Sequence, residues 1–299
     1  IEQTSRNAMS RKSPPLVASS RRDIGKRHFA MICLTFGLTI ASLPPALADT
    51  LRWFSAGRPT AMAHQAVGLL TSAADDGLDA NDYGAEHLRK AIDSATSGPP
   101  LPDQRIVQID LALTSAMVRY LADVHGGRVD PRRLAENYAP TSSPGFDPEA
   151  LLLIAIASDR LAEAARRAAP PLAQYLELQE ALARYRELAG NPAWHKALPP
   201  PAGSKLTLGL TYAGLAALSE RLHLLGDLPA NGAPSSSYEG KLVDGVRSFQ
   251  ERHGLTADGV LGKGTLEQLD VTPEARVRQL ELALERLRWT PLPPAARAI

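Results

Sequence analysis

Apolar residues recur at intervals of three and four through most of residues 51–198, and the strict alternation expected of strands is almost absent. This spacing places apolar side chains on one face of a helix. The pattern predicts four helices, whose apolar positions run from Met62 to Ala73, from Ile106 to Leu121, from Leu151 to Ala169 and from Leu172 to Leu182. Proline and glycine end the last two, at Pro170-Pro171 and Gly190-Asn191-Pro192.

Segments rich in Gly, Pro and Ser separate these helices at residues 97–102, 137–148 and 198–204. Such residues favour turns and linkers over regular structure. The last segment contains three consecutive prolines followed by Ala-Gly-Ser, and it is the strongest candidate for a domain boundary. We therefore predict a mostly α fold, with a helical domain over residues 49–200 and a smaller domain over residues 204–272.

The smaller domain contains helix and turn signals in a defined order. Three apolar residues lie at helical spacing: Leu242, Val246 and Phe249. Gly254 is placed to end that helix in a left-handed conformation. Asp258-Gly259 is a turn dipeptide, in which Asp258 is expected to bond the loop backbone. Gly259 and Gly262 are expected to take conformations that other residues resist, before a short helix that begins near Thr265.

This ordered set resembles the small three-helix peptidoglycan-binding domain of bacterial cell-wall enzymes. The resemblance rests on Phe249-Gln250, His253-Gly254-Leu255, Asp258-Gly259-x-x-Gly262 and Thr265-Leu266. It implies that the peptidoglycan-binding motif consists of Phe249, Gln250, Asp258, Gly259, Gly262 and Thr265. An arbitrary hairpin of two helices is the alternative interpretation.

The resemblance extends over residues 49–299. Leu51-Arg52-Trp53-Phe54, the run from Asp76 to Tyr83, and Gly127-Arg128-Val129-Asp130-Pro131 look like parts of the helical scaffold domain of the large murein L,D-transpeptidases. Residues 184–194 resemble the end of that scaffold, and Glu285 to Trp289 resemble the connector that follows the binding domain. The resemblance implies a helical scaffold domain, then a three-helix peptidoglycan-binding domain, then a connector and tail over residues 273–299.

The connector has a clear helical pattern. Its apolar stripe consists of Val277, Leu280, Leu284 and Leu287. Thr272 is suited to cap this helix, with Pro273 in its first turn. In the resembling enzymes the connector leads to a catalytic domain that should begin just after Trp289. Because no such domain follows in this sequence, we expect Leu284, Leu287 and Trp289 to be partly exposed.

Residues 1–48 have the pattern of an export signal. A basic region that includes Arg21 and Arg22 precedes the apolar run Phe29 to Leu43, and Ala46-Leu47-Ala48 supplies small residues for cleavage before Asp49. We therefore expect a periplasmic protein, exported by the general secretory route in preference to the twin-arginine route. An uncleaved membrane anchor is the alternative. Residues 1–8 are interpreted as an upstream extension, with Met9 as the start.

Charge and cysteine content narrow the possible functions. The chain has 33 Lys and Arg against 32 Asp and Glu, and loss of the basic signal would make the remainder acidic. That balance gives no electrostatic reason to expect nucleic acid as a partner. The only cysteine, Cys33, lies in the signal. Disulfides, thiolate metal sites and cysteine nucleophiles are therefore excluded from the mature sequence.

The sequence contains no recognisable catalytic motif. The reaction of the resembling family needs a cysteine thiolate in a Ser-His-Gly-Cys context, which is absent, as are Ser-x-x-Lys and His-Glu-x-x-His. The histidines are dispersed, so we expect no metal or other cofactor. Asp75, Asp76 and Asp79 are interpreted as a loop and helix-cap cluster, with glycan cleavage as the alternative. Two arginine pairs, Arg166-Arg167 and Arg286 with Arg288, are interpreted as solvated surface, with pairing to muramyl-peptide carboxylates as the alternative.

These features predict the non-catalytic, peptidoglycan-binding part of an exported L,D-transpeptidase, with peptidoglycan as its partner and no catalytic residues of its own. Two alternatives remain open. The native gene could continue past Ile299 into a cysteine-dependent catalytic domain, or the chain could be a scaffold that docks other enzymes of wall synthesis.

Overall fold

The computed structural model describes residues 51–133, 145–229 and 236–290. The predicted export signal and the tail after Thr290 lie outside these residues. Within them, the secondary structure is ten α-helices and one short hairpin, which confirms the mostly α prediction. The helices are α1 (Ala61–Thr71), α2 (Ala85–Ser97), α3 (Asp103–Gly126), α4 (Pro148–Ser158), α5 (Leu161–Ala168), α6 (Ala173–Leu188), α7 (Leu215–Leu224), α8 (Lys241–Arg252), α9 (Lys263–Leu269) and α10 (Pro273–Arg288).

Shorter elements connect these helices. The hairpin pairs β1 (Phe54–Ser55) with β2 (Arg58–Pro59) in antiparallel register, Phe54 opposite Pro59. Single 3₁₀ turns lie at Ala73–Asp76, Ala80–Tyr83, Pro131–Arg133 and Pro192–Trp194. The continuous helix predicted from Leu151 to Ala169 is wrong, because Asp159 takes a left-handed conformation with φ 56° and separates α4 from α5.

The first hydrophobic core is built by α1 to α5 together with residues 51–54, the first that the structure describes. Trp53 is buried in it, and its indole Nε1 donates to Thr114 Oγ1 at 2.9 Å. The buried Asp110 carboxylate accepts from the backbone nitrogens of Arg52 and Trp53 at 2.9 and 2.8 Å. The motif Leu51 to Phe54 therefore fastens the beginning of the described chain to α3.

A second, separate core contains α7, α8 and α9. Its buried residues include Leu218 and Leu222 of α7, Val246 and Phe249 of α8, and Leu269 of α9. This cluster is the small three-helix domain that the sequence predicts. We call residues 192–271 the second domain, because Trp194 and Leu198 also pack into this part of the molecule.

The connector helix α10 packs against α6, where Tyr175, Leu182 and Leu284 form a third cluster. Leu284 is 0% and Trp289 5% exposed, so the expectation that they are exposed is wrong. Leu287 is partly buried against the same cluster. The reason is that α6 supplies a partner surface within the chain. The second domain thus lies, in sequence, between two helices that pack on each other.

Candidate functional site

The loop between α8 and α9 is organised around Gln250, whose side chain is buried in the second domain. Its Oε1 accepts from the backbone nitrogen of Gly259 at 2.8 Å. Its Nε2 lies 3.0 Å from both Asp258 Oδ1 and the carbonyl oxygen of Val260, and 3.1 Å from Thr265 Oγ1. One amide therefore joins the end of α8, the turn and the first residues of α9. A buried amide satisfied in this way fixes the loop in a single conformation.

Asp258 is exposed and bonds the loop backbone, as predicted. Its Oδ1 accepts from the backbone nitrogen of Val260 at 2.8 Å. This hydrogen bond lowers the pKa of the Asp258 carboxyl below its ordinary value, with a further contribution from Gln250. The carboxylate form therefore stabilises the turn.

The two glycines of the turn differ in conformation and in the space around them. Gly259 has φ 71°, and a Cβ there would lie 2.7 Å from Val243 Cγ1, so both conformation and space require glycine. Gly262 has φ −94° with open space around it, so the prediction that its conformation resists other residues is wrong. Gly254 takes the left-handed conformation predicted for it, with φ 66°.

Two further motif residues, Phe249 and Thr265, are buried in the second core. The imidazole of His253 stacks on the Phe249 ring with centroids 3.9 Å apart. Of the six residues of the predicted motif, only Asp258 is exposed and Gly262 is half-buried. The motif therefore builds the α8–α9 loop, and direct contact of its residues with a polymer stays a prediction.

Arg221 is a buried residue of the second domain that the sequence analysis does not identify. Its guanidinium donates to the carbonyl oxygens of Ala193 and Leu269 at 2.9 and 3.1 Å and pairs with the Asp270 carboxylate. It also lies over the Trp194 ring, 5.6 Å from its centroid. One sequence signal could have identified Arg221: it lies three residues after Leu218 in α7, and this spacing puts both residues on the face of the helix that faces the core.

A groove of about 540 Å³ lies between the proline-rich segment before Lys205 and helix α9. Its lining includes Leu198, Pro200, Pro201, Lys263, Leu266 and Val271. An antiparallel bridge joins the two wall segments, and in it the backbone nitrogens of Leu206 and Leu261 each donate to the other's carbonyl oxygen at 3.1 and 3.0 Å. The groove is therefore a preformed feature of the second domain.

We call residues 51–191 the first domain, and its acidic cluster has a structural role. Asp76 accepts from Tyr120 Oη and from Gln179 Nε2, both at 2.7 Å, and burial raises the pKa of its carboxyl. Asp79 caps the 3₁₀ turn that follows it, by accepting from the Asn81 backbone nitrogen at 2.9 Å. These bonds confirm the loop and helix-cap interpretation. Asp76 also faces a cleft of about 550 Å³ together with Leu172.

The arginine pairs differ in exposure. Arg166, Arg167 and Arg286 are exposed, as predicted. Arg288 is buried, and it donates to the Asp76 carbonyl oxygen and to Tyr175 Oη. The interpretation of Arg288 as solvated surface is therefore wrong, because its guanidinium joins α10 to the first domain.

Two further properties concern the described residues only. No three His, Cys, Asp or Glu side chains in the described ranges are placed to share a metal ion. Among the helices that the structure describes, none is both long and apolar enough to cross a membrane.

The geometry defines a class of protein: a helical domain, completed by α10, that carries a small three-helix domain. Comparison with protein-family models assigns both parts. Residues 47–182 match the family described as "Scaffold domain", and residues 211–269 match the family described as "Putative peptidoglycan binding domain". The chain thus carries a scaffold domain followed by a peptidoglycan-binding domain, as the sequence resemblance implies. No curated protein matches the chain.

Proposed function

We propose that this chain is the scaffold and wall-binding portion of an exported L,D-transpeptidase that takes part in cell-wall cross-linking. The observation that carries the proposal is the match of residues 211–269 to a peptidoglycan-binding family. The match of the preceding residues to a scaffold family supports the same order of domains that the resemblance implies.

In this proposal the chain contributes binding and placement, and no bond-making chemistry. The mature sequence has no cysteine to form a thioester with a stem peptide. The Asp76 carboxylate, which glycan cleavage would need, is held by the Tyr120 hydroxyl and the Gln179 amide. The reaction of an L,D-transpeptidase would therefore come from residues that this sequence does not contain.

Sedimentation with purified sacculi tests the binding step. The whole chain without its export signal is mixed with sacculi at moderate salt, and the pellet is compared with a sample that lacks sacculi. We expect the chain in the pellet only when sacculi are present. A folded chain that stays in the supernatant would overturn the proposal. If such a chain instead retained other wall-synthesis enzymes in a pull-down, the docking alternative would replace it.

Export to the periplasm is part of the same proposal. The support is the basic region, apolar run and small residues of residues 1–48, which lie outside the described structure. Fractionation of cells that express the full sequence tests it, with N-terminal sequencing of the product. A periplasmic product that begins at Asp49 is expected. A product that stays in the cytoplasm at full length would contradict it.

A further inference from the structure

The large aromatic rings of the second domain are all buried in its interior. Its Trp, Tyr and Phe residues are Trp194, Tyr212, Tyr238 and Phe249, and each is buried. An exposed aromatic face offers a large rigid apolar surface, on which the apolar face of a sugar ring can pack. The described second domain presents no such face. A glycan strand would therefore find no exposed Trp, Tyr or Phe ring in the described second domain on which to stack.

The groove beside α9 offers a different chemistry. Pro200, Pro201, Leu266 and Val271 give it an apolar floor and walls. Lys263 also lines the groove; its side chain is 88% exposed, and the Glu267 carboxylate lies 3.8 Å from its ammonium. An ion pair this exposed is weak, so the Lys263 ammonium remains available to another carboxylate.

The other carboxylate of the groove is already engaged. Asp270 Oδ1 accepts from the Leu198 backbone nitrogen at 3.0 Å and from the buried Arg221 guanidinium. Asp270 therefore stabilises the wall of the groove and is not free for a ligand. The charges that remain are one ammonium and one carboxylate beside an apolar surface, and both lie on successive turns of α9.

We propose that this groove binds the stem peptide of peptidoglycan and not its glycan strand. Stem peptides are short, carry alanine methyl groups and contain carboxylates. The methyl groups would pack on Pro200 and Leu266, and a stem carboxylate would pair with the Lys263 ammonium. This inference rests on the proposed function, and it names the part of the polymer that is recognised.

The binding motif acquires a role in this arrangement. The Gln250 amide holds Thr265 in the first turn of α9, and the bridge between Leu206 and Leu261 ties the proline-rich wall to the start of α9. Both walls are thus fixed before a ligand arrives. A preformed groove avoids the entropic cost of ordering on binding, which favours recognition of a short flexible peptide.

Competition in the sacculus assay tests the inference. The chain is sedimented with sacculi in the presence of a soluble synthetic stem tetrapeptide, or of peptide-free glycan chains at equal mass. We expect the tetrapeptide to release the chain and the glycan chains to leave it bound. Release by the glycan chains alone would overturn the inference while leaving the proposed function intact.

Charge reversal identifies the groove. Lys263→Glu should weaken tetrapeptide binding about five- to tenfold, as expected for replacing an exposed attractive pair by a repulsive one. Lys241→Glu on α8 makes the same charge change outside the groove and should leave binding unchanged. If both variants weaken tetrapeptide binding equally, or if neither weakens it, the assignment to this groove is overturned. A chain that fails to sediment even without competitor would instead refute the proposed function.

Discussion

Arg288 donates to the hydroxyl of Tyr175 across a distance of 2.7 Å, and so joins the last turn of α10 to the first turn of α6. The guanidinium carbon also lies 5.5 Å from the centroid of the Tyr175 ring. The same guanidinium donates to the Asp76 carbonyl oxygen and pairs with Glu285. These bonds make the end of the described chain an integral part of the first domain.

Replacing Arg288 by Ala should destabilise the protein. The change removes the donor to the Asp76 carbonyl oxygen and the 2.7 Å donor to the Tyr175 hydroxyl, and it takes the ion-pair partner from Glu285, so we expect the free energy of unfolding to fall by about 2–4 kcal/mol. Chemical denaturation of the whole chain measures it. Arg286→Ala is the matched control, since Arg286 is exposed on the same helix, and should change stability by less than about 0.5 kcal/mol. Equal effects of the two changes would contradict the structure.

The two glycines of the α8–α9 turn should respond differently to substitution. Gly259→Ala introduces a Cβ at positive φ against Val243, and we expect it to cost about 1–3 kcal/mol. Gly262→Ala meets open space at an ordinary φ and should stay within about 0.5 kcal/mol of the wild type. Thermal unfolding of the two variants gives the comparison. A larger loss for Gly262→Ala would refute this account of the turn.

Removing the buried amide should loosen the loop. Gln250→Leu retains the apolar part of the side chain but leaves the Gly259 backbone nitrogen without its acceptor, and we expect a loss of about 1–3 kcal/mol. Amide hydrogen exchange should show the loss of protection first at Gly259. Gln268→Leu makes the same substitution at a half-buried position of α9 outside the network, and it should leave the protection at Gly259 unchanged. Unchanged protection at Gly259 in Gln250→Leu would show that the network does not hold the turn.

The turn should also depend on pH. The pKa of the Asp258 carboxyl is lowered in the folded state, chiefly by the Val260 backbone hydrogen bond, so the folded state binds fewer protons than the unfolded state near that pKa. Its contribution to stability is therefore present above the ordinary Asp pKa of about 4 and is lost as the pH falls through the lower folded value. The Val260 amide shift, followed by NMR, should titrate below pH 4. Asp258→Asn should abolish that titration, and a midpoint above 4 would reverse the assigned sign.

The purified chain should leave tetrapeptide-bearing muropeptides unchanged. The protein used is residues 49–299, which contain no cysteine, so after long incubation chromatography should detect neither new cross-links nor exchange of the terminal D-alanine. New 3→3 cross-linked dimers would refute the non-catalytic interpretation. Shortened glycan strands would instead point to the carboxylates of Asp75, Asp76 and Asp79, of which Asp75 and Asp76 line the cleft of about 550 Å³.

Local patterns in the sequence predict the helices well and their partners poorly. The apolar stripe of α10 is visible from Val277 to Leu287, but the surface that covers it lies on α6, about 100 residues earlier in the chain. Arg288 looks like any charged residue of a helix until Asp76 and Tyr175 are brought beside it. Partner choice depends on contacts between distant segments, which periodicity does not encode.

At the candidate site, too, local features could be predicted from the sequence, whereas contacts between distant segments could not. The turn and its Asp258 hydrogen bond follow from residue types alone, whereas the difference between Gly259 and Gly262 depends on the position of Val243. Burial of Gln250 follows from the packing of three helices, which a motif does not reveal. The groove could not be predicted, since its two walls come from segments about 60 residues apart that meet through the Leu206–Leu261 bridge.

The placement of the second domain between α6 and α10 has a mechanical consequence. Gly190 donates its backbone nitrogen to Glu274 Oε1 at 2.6 Å, and the Trp194 indole donates to the Leu269 carbonyl oxygen at 3.2 Å. The segment that enters the second domain and the segment that leaves it are thus adjacent and joined by hydrogen bonds. Tension from a stretched wall would be divided between two covalent connections and would load the α6–α10 contact along with them. A domain attached through two connections has less freedom to swing than one on a single tether, so wall binding by this domain, as proposed, would also restrict the position of the first domain.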